Sequence, residues 1–466
     1  MKDFLLLMKP ELQLTLILFL LVFVKLGRGI KNDLLLQLIQ VLLLFNFVLG
    51  FFLNRNGHLF GDLYQSTSLF IFEKNILNLS AYLVSLVCAD WLRKSQNLPE
   101  FFLLMVSSML GMFLMISSGN LLIFYLSLEL SSIPVAAMVN FDLLKRKSSE
   151  AAMKLILSSA FSSGVLLFGI SLLYGSTGTI SFSEIPARLN GNTLQVLAFI
   201  LIFCAFAFKL SIVPFHLWTA DVYEGAPIAA TSFLSVASKG AFAFVFMGFL
   251  YKTFLPLGDI WYGMLVLLTL CTLLIGNLFA LRQQNIKRFL AFSSIAQVGF
   301  ILLGVSGGAP LGSPSVVYFI LIYVFSNLAA FGVASVISEQ TGKENIDDYN
   351  GLYKTNPFLS WVLTLALFSL AGIPPTAGFF GKLFLITAGA SKGNYGFILT
   401  GALNLVISLY YYLRIVRAIF FEKNDVTPLK NIHVSVSVRF GLIICSGGVL
   451  LTGLFSWIYD YIQSLH

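Results

Sequence analysis

The run Lys209-Leu-Ser-Ile-Val-Pro-Phe-His216 decides how this chain is read. It interrupts an apolar stretch that begins near Leu194, placing a lysine, a proline and a histidine inside it. Proline in a helix interior removes a backbone hydrogen bond and collides with the preceding turn. A second run of the same kind, Ala371-Gly-Ile-Pro-Pro-Thr-Ala-Gly-Phe-Phe-Gly-Lys382, breaks another apolar stretch further on. In lipid, the carbonyls freed by such breaks must be satisfied by protein or by water in a cavity.

The composition around these breaks makes lipid the solvent. The 466 residues are 58% hydrophobic and only 11% charged, with a mean hydropathy of +0.89. A soluble domain keeps roughly a quarter of its residues charged. The formal charge of +8 sits in short clusters between apolar runs, which is the layout of loops facing an anionic leaflet. No basic helix or basic-aromatic patch stands apart, so nucleic acid is excluded as a partner.

A helix needs about 20 apolar residues to cross the hydrocarbon core. That ruler predicts spans near 11–27, 33–53, 68–92, 100–117, 120–140, 152–174, 195–218, 228–250, 259–280, 288–306, 315–338, 357–389, 395–420 and 437–462. The fold class is therefore all-α, a polytopic membrane protein of about 14 transmembrane helices. The 357–389 stretch is too long for one straight span and reads as one broken helix, with two separate segments as the alternative. The run from Leu14 to Val24 has no small-residue cleavage site behind it, so it reads as a retained helix and not a signal peptide.

Loop charges test that count. Connections from odd to even spans hold Arg28, Lys31, Arg93, Lys94, Lys145, Arg146, Lys147, Arg282, Lys287, Arg288, Lys343, Lys354, Lys423 and Lys430. The even-to-odd connections hold only Arg55, Lys74, Arg188, Lys252 and Lys392. The asymmetry assigns the odd-to-even loops to the cytoplasm and both termini to the periplasmic side.

The two breaks lie five spans apart. Five is odd, so a five-helix unit repeated once returns inverted, and inverted repeats with broken helices mark transporters. The expected organisation is an N-terminal three-helix segment (1–98), a first five-helix unit (99–251), a second inverted unit (252–420) and a C-terminal helix (421–466).

Four charges lie far from any expected interface: Glu129 within Leu121–Val139, Lys209 before the first break, Lys239 in the eighth span, and Lys382 after the second break. A charge near mid-bilayer costs about 2.5–3.5 kcal/mol even on the gentlest insertion scale. These four must face protein, water or one another. At span ends, Lys25 needs only to snorkel and Asp90 only to tie helices together.

Reversible proton holding suits this set. A lysine titrates near ~10.4 in water; desolvation lowers such a value, and an approaching carboxylate raises it. Glu129 reads as the one mid-span carboxylate, hence the natural modulator of Lys209. His216 has an intrinsic affinity suited to a relay, although a hydrogen-bonded cap on the broken helix explains it almost as well. Ser127, Ser131 and Ser132 flank Glu129, while Thr231, Ser232, Ser235 and Ser238 form a small-residue face of the kind that allows close helix packing.

Four segments carry a family resemblance: FKLSIVPFHLWTADVYEGAP at 208–227, ELSSIPVAAMV from Glu129, IKRFLAFSSIAQVGF at 286–300 and LAGIPPTAGFFGK ending at Lys382. In order and spacing they strongly resemble the antiporter-like membrane subunits of respiratory complex I, over almost the whole chain. Modest length, the DVYEGAP wording and lysine at 382 resemble the N branch of the bacterial NADH–quinone oxidoreductases. The resemblance implies that Glu129, Lys209, Lys239 and Lys382 line a hydrated axis in the membrane plane. It implies a bacterial inner-membrane location, other antiporter-like subunits as partners, and proton transfer driven by quinone reduction elsewhere. Where some members carry histidine, this chain has Gln297, so the relay into the second unit is left open. In span thirteen, Asn404 and Ser408 are neutral and Arg414 lies toward the cytoplasmic end.

No cofactor is expected in the chain itself: it has no G-x-G-x-x-G after a strand, no Walker loop and no H-E-x-x-H helix. NADH, FMN, iron–sulfur clusters and quinone are expected in partner subunits. Cys88, Cys204, Cys271 and Cys445 read as small buried hydrophobes, and no metal site is expected. Two other functions share these features: a subunit of a multisubunit cation/proton antiporter, and a non-transport membrane scaffold whose buried charges specify assembly.

Overall fold

The structure is a computed structural model, and it describes residues 2–27, 30–52, 54–422, 431–455 and 457–465. Arg28, Lys423 and Lys430, counted above among the loop charges, lie outside the described residues.

A helix covers every stretch where one was expected. The N-terminal part comprises α1 (Lys2–Leu7), α2 (Lys9–Leu26), α3 (Asn32–Leu49), a hairpin of β1 (Gly57–Leu59) and β2 (Tyr64–Ser66), α4 (Ser68–Val87) and α5 (Ala89–Lys94). Then follow α6 (Leu98–Ile116), α7 (Leu121–Val139), α8 (Arg146–Thr177), α9 (Ile185–Arg188), α10 (Thr193–Leu210) and α11 (Leu217–Gly225). The eighth segment is α12 (Ile228–Phe233), a π-helical turn at Leu234–Ser238, α13 (Lys239–Gly248) and a second π-helical turn at Phe249–Thr253. The remainder is α14 (Gly258–Arg282), α15 (Ile286–Val305), α16 (Ala309–Thr341), α17 (Leu352–Thr355), α18 (Pro357–Ala371), α19 (Ala377–Ala390), α20 (Tyr395–Phe421), α21 (Val436–Leu454) and α22 (Trp457–Ser464).

Among the described residues, twelve helical stretches are long and apolar enough to cross a membrane; α18 and α19 are shorter apolar helices. Local chemistry sets many of their ends. Thr67, Asn120, Asn192, Asn285 and Asn394 each accept a bond from a first-turn backbone N–H, satisfying donors that a helix start leaves open. At their C-termini α8 and α16 are closed by Gly178 and Gly342 in the left-handed region, where glycine carries no Cβ penalty.

The eighth segment is not the single straight helix expected. One extra residue in a turn changes neither run length nor mean hydropathy enough to register, so the two π turns are invisible in the sequence. The last expected span also divides, at Phe455, into α21 and α22.

Burial sorts the helices. α4, the α12–α13 segment, α15 and α16 are almost wholly enclosed, whereas α3, α8, α14, α20 and α21 turn broad apolar faces outward. In water such faces would be a liability; in hydrocarbon they are the lipid contact. The enclosed helices are the ones that can hold polar groups without facing lipid.

Candidate functional site

Both breaks are built as helix, left-handed residue, proline turn, helix. In the first, α10 ends at Leu210 and Ser211 takes φ +65°, with Val213–Pro214 cis. Ser211 Oγ accepts a bond of 2.6 Å from Thr219 Oγ1. In the second, α18 ends at Ala371 and Gly372 takes φ +86°, with Pro374–Pro375 cis. The freed carbonyls are met by protein: Trp218 Nε1 donates to Phe208 O at 3.0 Å. Lys382 Nζ donates to Leu370 O at 2.6 Å and to Ala371 O at 3.3 Å.

Lys209 lies one residue before the end of α10. Its ammonium donates to Ser132 Oγ of α7 at 2.7 Å and to Ser159 Oγ of α8 at 2.8 Å. Glu129 sits one turn before Ser132 on α7, and its Oε1 is buried without a hydrogen-bond partner. No Glu129–Lys209 ion pair lies within 4.0 Å among the described residues. The expected modulator and its lysine are thus neighbours separated by a serine. Lys209 Nζ also lies 5.6 Å from the centre of the Phe242 ring, and Phe242 is one turn beyond Lys239 on α13.

Lys239 opens α13 directly after the first π turn and is buried at 3% exposure. It donates to Ser294 Oγ of α15 at 2.7 Å and lies 5.4 Å from the Tyr223 ring centre. From Ser293, the adjacent residue, a polar chain crosses to the second break. Ser293 Oγ and Tyr412 Oη are 2.5 Å apart, and Gln297 Nε2 donates to Tyr412 Oη at 3.0 Å and to Leu370 O at 3.0 Å. Leu370 O is the carbonyl that Lys382 also reaches. The position left open at Gln297 is therefore occupied by a glutamine–tyrosine–serine chain.

His216 is buried at 7% exposure as the residue before α11, and its Nδ1 has no partner. The break lies between it and Lys209, so the two do not share one helix face. In span thirteen, Asn404 pairs with Asn277 at 2.9 Å. Arg414 donates to Leu281 O and Gln283 O at the end of α14, which makes it a cap.

One reading of the sequence needs correction. Lys74 is not a loop charge: it lies inside α4 at 1% exposure. Beside the mid-span Glu129, two carboxyls that the sequence did not single out, Glu11 and Glu73, are buried at 2% and 3% exposure in α2 and α4. Lys74 Nζ meets Glu11 Oε1 at 2.5 Å and Ser117 Oγ at 2.6 Å, and Tyr64 Oη donates to Glu11 Oε2 at 2.9 Å. These charges stand near the starts of their helices, where sequence alone puts them at the interface. The hairpin β1–β2 covers that end and encloses them.

At the opposite, Lys/Arg-rich side, Asp221 and Glu224 of α11 form an ion cluster. Arg288 of α15 bridges both, at 2.8 and 2.9 Å, while Lys154 meets Asp221 at 2.7 Å and Lys147 meets Glu224 at 3.1 Å. Partial burial pushes both carboxyls up, but the bonds from Lys154 and Arg288 to Asp221, and from Arg288 and Lys147 to Glu224, outweigh it. Both are held below the usual carboxylate range.

Residues 118–408 match the transmembrane family described as NADH:quinone oxidoreductase/Mrp antiporter. The chain is 48% identical, over 87% of its length and 86% of the relative's, to NADH-quinone oxidoreductase subunit N of Phocaeicola vulgatus. It is 38% identical to the subunit N of Pelagibacter ubique, over 84% of each. Its fold matches a chain of respiratory complex I from Thermus thermophilus with bound aureothin at a TM-score of 0.79 and 25% identity, covering 96% of this chain and 97% of that one. A chain of the Mrp complex from Dietzia shares the fold at a TM-score of 0.83 and 20% identity, over 99% and 95% of the two chains. The chain belongs to the NADH:quinone oxidoreductase/Mrp antiporter family of membrane subunits, on its subunit N branch.

Proposed function

We propose that this chain is a proton-translocating subunit of a membrane-embedded NADH–quinone oxidoreductase, working through Glu129, Lys209, Lys239 and Lys382. The observation that carries the reading is that two polar runs meet α15 at neighbouring residues: Lys239 bonds Ser294, and from Ser293 a second run passes through Tyr412 and Gln297 to Leu370 O, the carbonyl Lys382 holds. They bring two buried lysines on different helices to one helix, and a buried amine gains or loses its proton according to the charge beside it. Movement of Glu129 toward or away from Lys209 sets that charge at one end. The proton Lys209 gives up is taken by a neutral amine at Lys239, and the next passes by hydroxyl and amide groups and internal water toward Lys382. His216 serves as a side relay at the first break.

Redox chemistry belongs to partners in this reading. NADH, FMN, iron–sulfur clusters and quinone sit in other subunits, and other antiporter-like subunits flank this one in a bacterial inner membrane. Units 99–251 and 252–420 are inverted copies among about fourteen crossings, preceded by segment 1–98 and followed by helix 421–466, with both termini on the periplasmic side. The subunit N relatives, at 48% identity over most of their length, favour this reading over a cation/proton antiporter subunit. The unpaired Glu129 oxygen favours it over a scaffold, since a carboxylate kept only for assembly would be fully bonded.

The test is Lys209→Ala in the assembled complex, reconstituted into vesicles. The expected result is NADH oxidation with fewer protons moved per electron. Unchanged stoichiometry and turnover would sink the proton-path reading, and sodium-dependent transport with no redox partner would replace it with the antiporter one.

A further inference from the structure

Two adjacent residues of α4 are buried charges of opposite fate. Lys74 is saturated by Glu11, Tyr64 and Ser117. Glu73, turned about 100° away around the helix, makes no hydrogen bond among the described residues, although it is buried at 3% exposure. Glu73 instead lines a cavity with Gln65 of the hairpin, Ser118, Gly248, Phe249 and Lys252. The space open to water centres is about 60 Å³, several times the roughly 10–15 Å³ that one water requires. Lys252 is exposed at its rim, with its ammonium 5.2 Å from the centre of the Phe70 ring.

The cavity wall is shaped for this. Gly248 has nothing within 4 Å of where a Cβ would stand. The second π turn, Phe249–Thr253, follows it immediately, and π turns inside helices concentrate at functional sites. Along α13 this wall stands about 13 Å from Lys239, at a rise of 1.5 Å over nine residues. That is close to the half-thickness of the hydrocarbon core, about 15 Å. From Lys239 toward the cavity, Leu77 packs beside Gly240 and Phe244 forms the cavity wall, both apolar.

The geometry points to Glu73 as a proton-release site on the hairpin side of the membrane, separated from Lys239 by an apolar gate at Leu77 and Phe244. This rests on the proton-translocating reading. Apolar constrictions of this kind gate by dewetting. When the gap wets, the Lys239 ammonium passes a proton through water to the Glu73 carboxylate, leaving a neutral amine and a neutral acid. Glu73 then releases that proton to cavity water, and the Lys252 ammonium at the rim favours the carboxylate that remains.

The assembled complex in vesicles of known orientation tests this in two ways. Glu73→Gln lowers the protons moved per electron, and Glu73→Asp restores it. Ser118→Cys reacts with a membrane-impermeant maleimide from the hairpin side alone, and adding Gly248→Leu, which fills the open space, blocks that labelling. Glu73→Gln with the parent stoichiometry overturns the proposal, as does a Ser118→Cys variant that stays unlabelled from the hairpin side. The labelling arm stands even where Glu73→Gln fails to assemble. Normal pumping by Lys209→Ala would overturn the broader reading instead, without altering the labelling of Ser118→Cys.

Discussion

The two broken helices are built alike but use their lysines differently. In the first, the left-handed residue is Ser211, and Trp218 takes the freed Phe208 carbonyl. Lys209 is left to bond only side-chain hydroxyls, on two other helices. In the second, the left-handed residue is Gly372, and Lys382 itself holds Leu370 O and Ala371 O. A lysine bonded only to serine hydroxyls can change partners without unmaking the backbone. A lysine that closes a helix end cannot. The first break separates structure from proton handling, and the second combines them.

The largest effect that separates the two follows from this. Lys382→Ala leaves Ala371 O unmet and halves the bonding at Leu370 O; a buried carbonyl left unmet costs about 1–3 kcal/mol. The expected outcome is loss of both assembly and pumping, measured as complex recovered on native gels and as protons per electron. Lys209→Ala is expected to assemble normally and lose only pumping. Equal assembly of both variants would break the distinction between the two sites.

A smaller effect sharpens it from the other side. Trp218→Phe removes the indole bond to Phe208 O, which keeps its bond from Ser211 N. One hydrogen bond of this kind is worth about 1 kcal/mol. The expected result is a modest fall in the thermal midpoint of the complex, well short of that from Lys382→Ala. A Trp218→Phe midpoint as low as that of Lys382→Ala would mean that the indole, not the lysine arrangement, distinguishes the breaks.

Spans and breaks are legible because both are one-dimensional signals. Run length sets a span, and the breaks at Pro214 and at Pro374–Pro375 follow from proline's lost donor and its clash with the preceding turn. Lys209, Lys239 and Lys382 stand out because each lies deep in an apolar run. Their partners do not: Ser159 is 50 residues from Lys209 and Ser294 is 55 from Lys239, and only helix packing brings them together. Glu73 and Lys74 escape for another reason. They stand in the second turn of α4, and whether that turn is wet depends on the hairpin folding over it, which hydropathy does not register. Gln297 looks like a missing relay in the sequence because its partner Tyr412 is one of several tyrosines whose face is fixed only by α20 meeting α15.

The ion clasp on α11 is the last contrast between the breaks. The half-helix after the first break is tied by Asp221 and Glu224 to Lys154, Lys147 and Arg288. The half-helix after the second, α19, makes no ion pair among the described residues; it packs against α15, α16 and α21, and Lys382 ties it to the end of α18. Because both clasp carboxyls titrate below their usual range, their contribution is fully present above the unfolded values, about 3.9 and 4.3. It is lost as pH falls through the still lower folded values. Between pH 5 and 8 the clasp therefore adds no pH dependence, and its loss belongs to the acid limb below about pH 4. The groups are partly exposed, so each pair is worth under about 1 kcal/mol and weakens with salt. Arg288→Met is expected to lower stability slightly at pH 7 and to flatten the acid limb, followed as the thermal midpoint of the complex against pH at low and high salt. An acid limb as steep in Arg288→Met as in the parent would mean that Lys154 and Lys147 hold α11 without the bridge to α15.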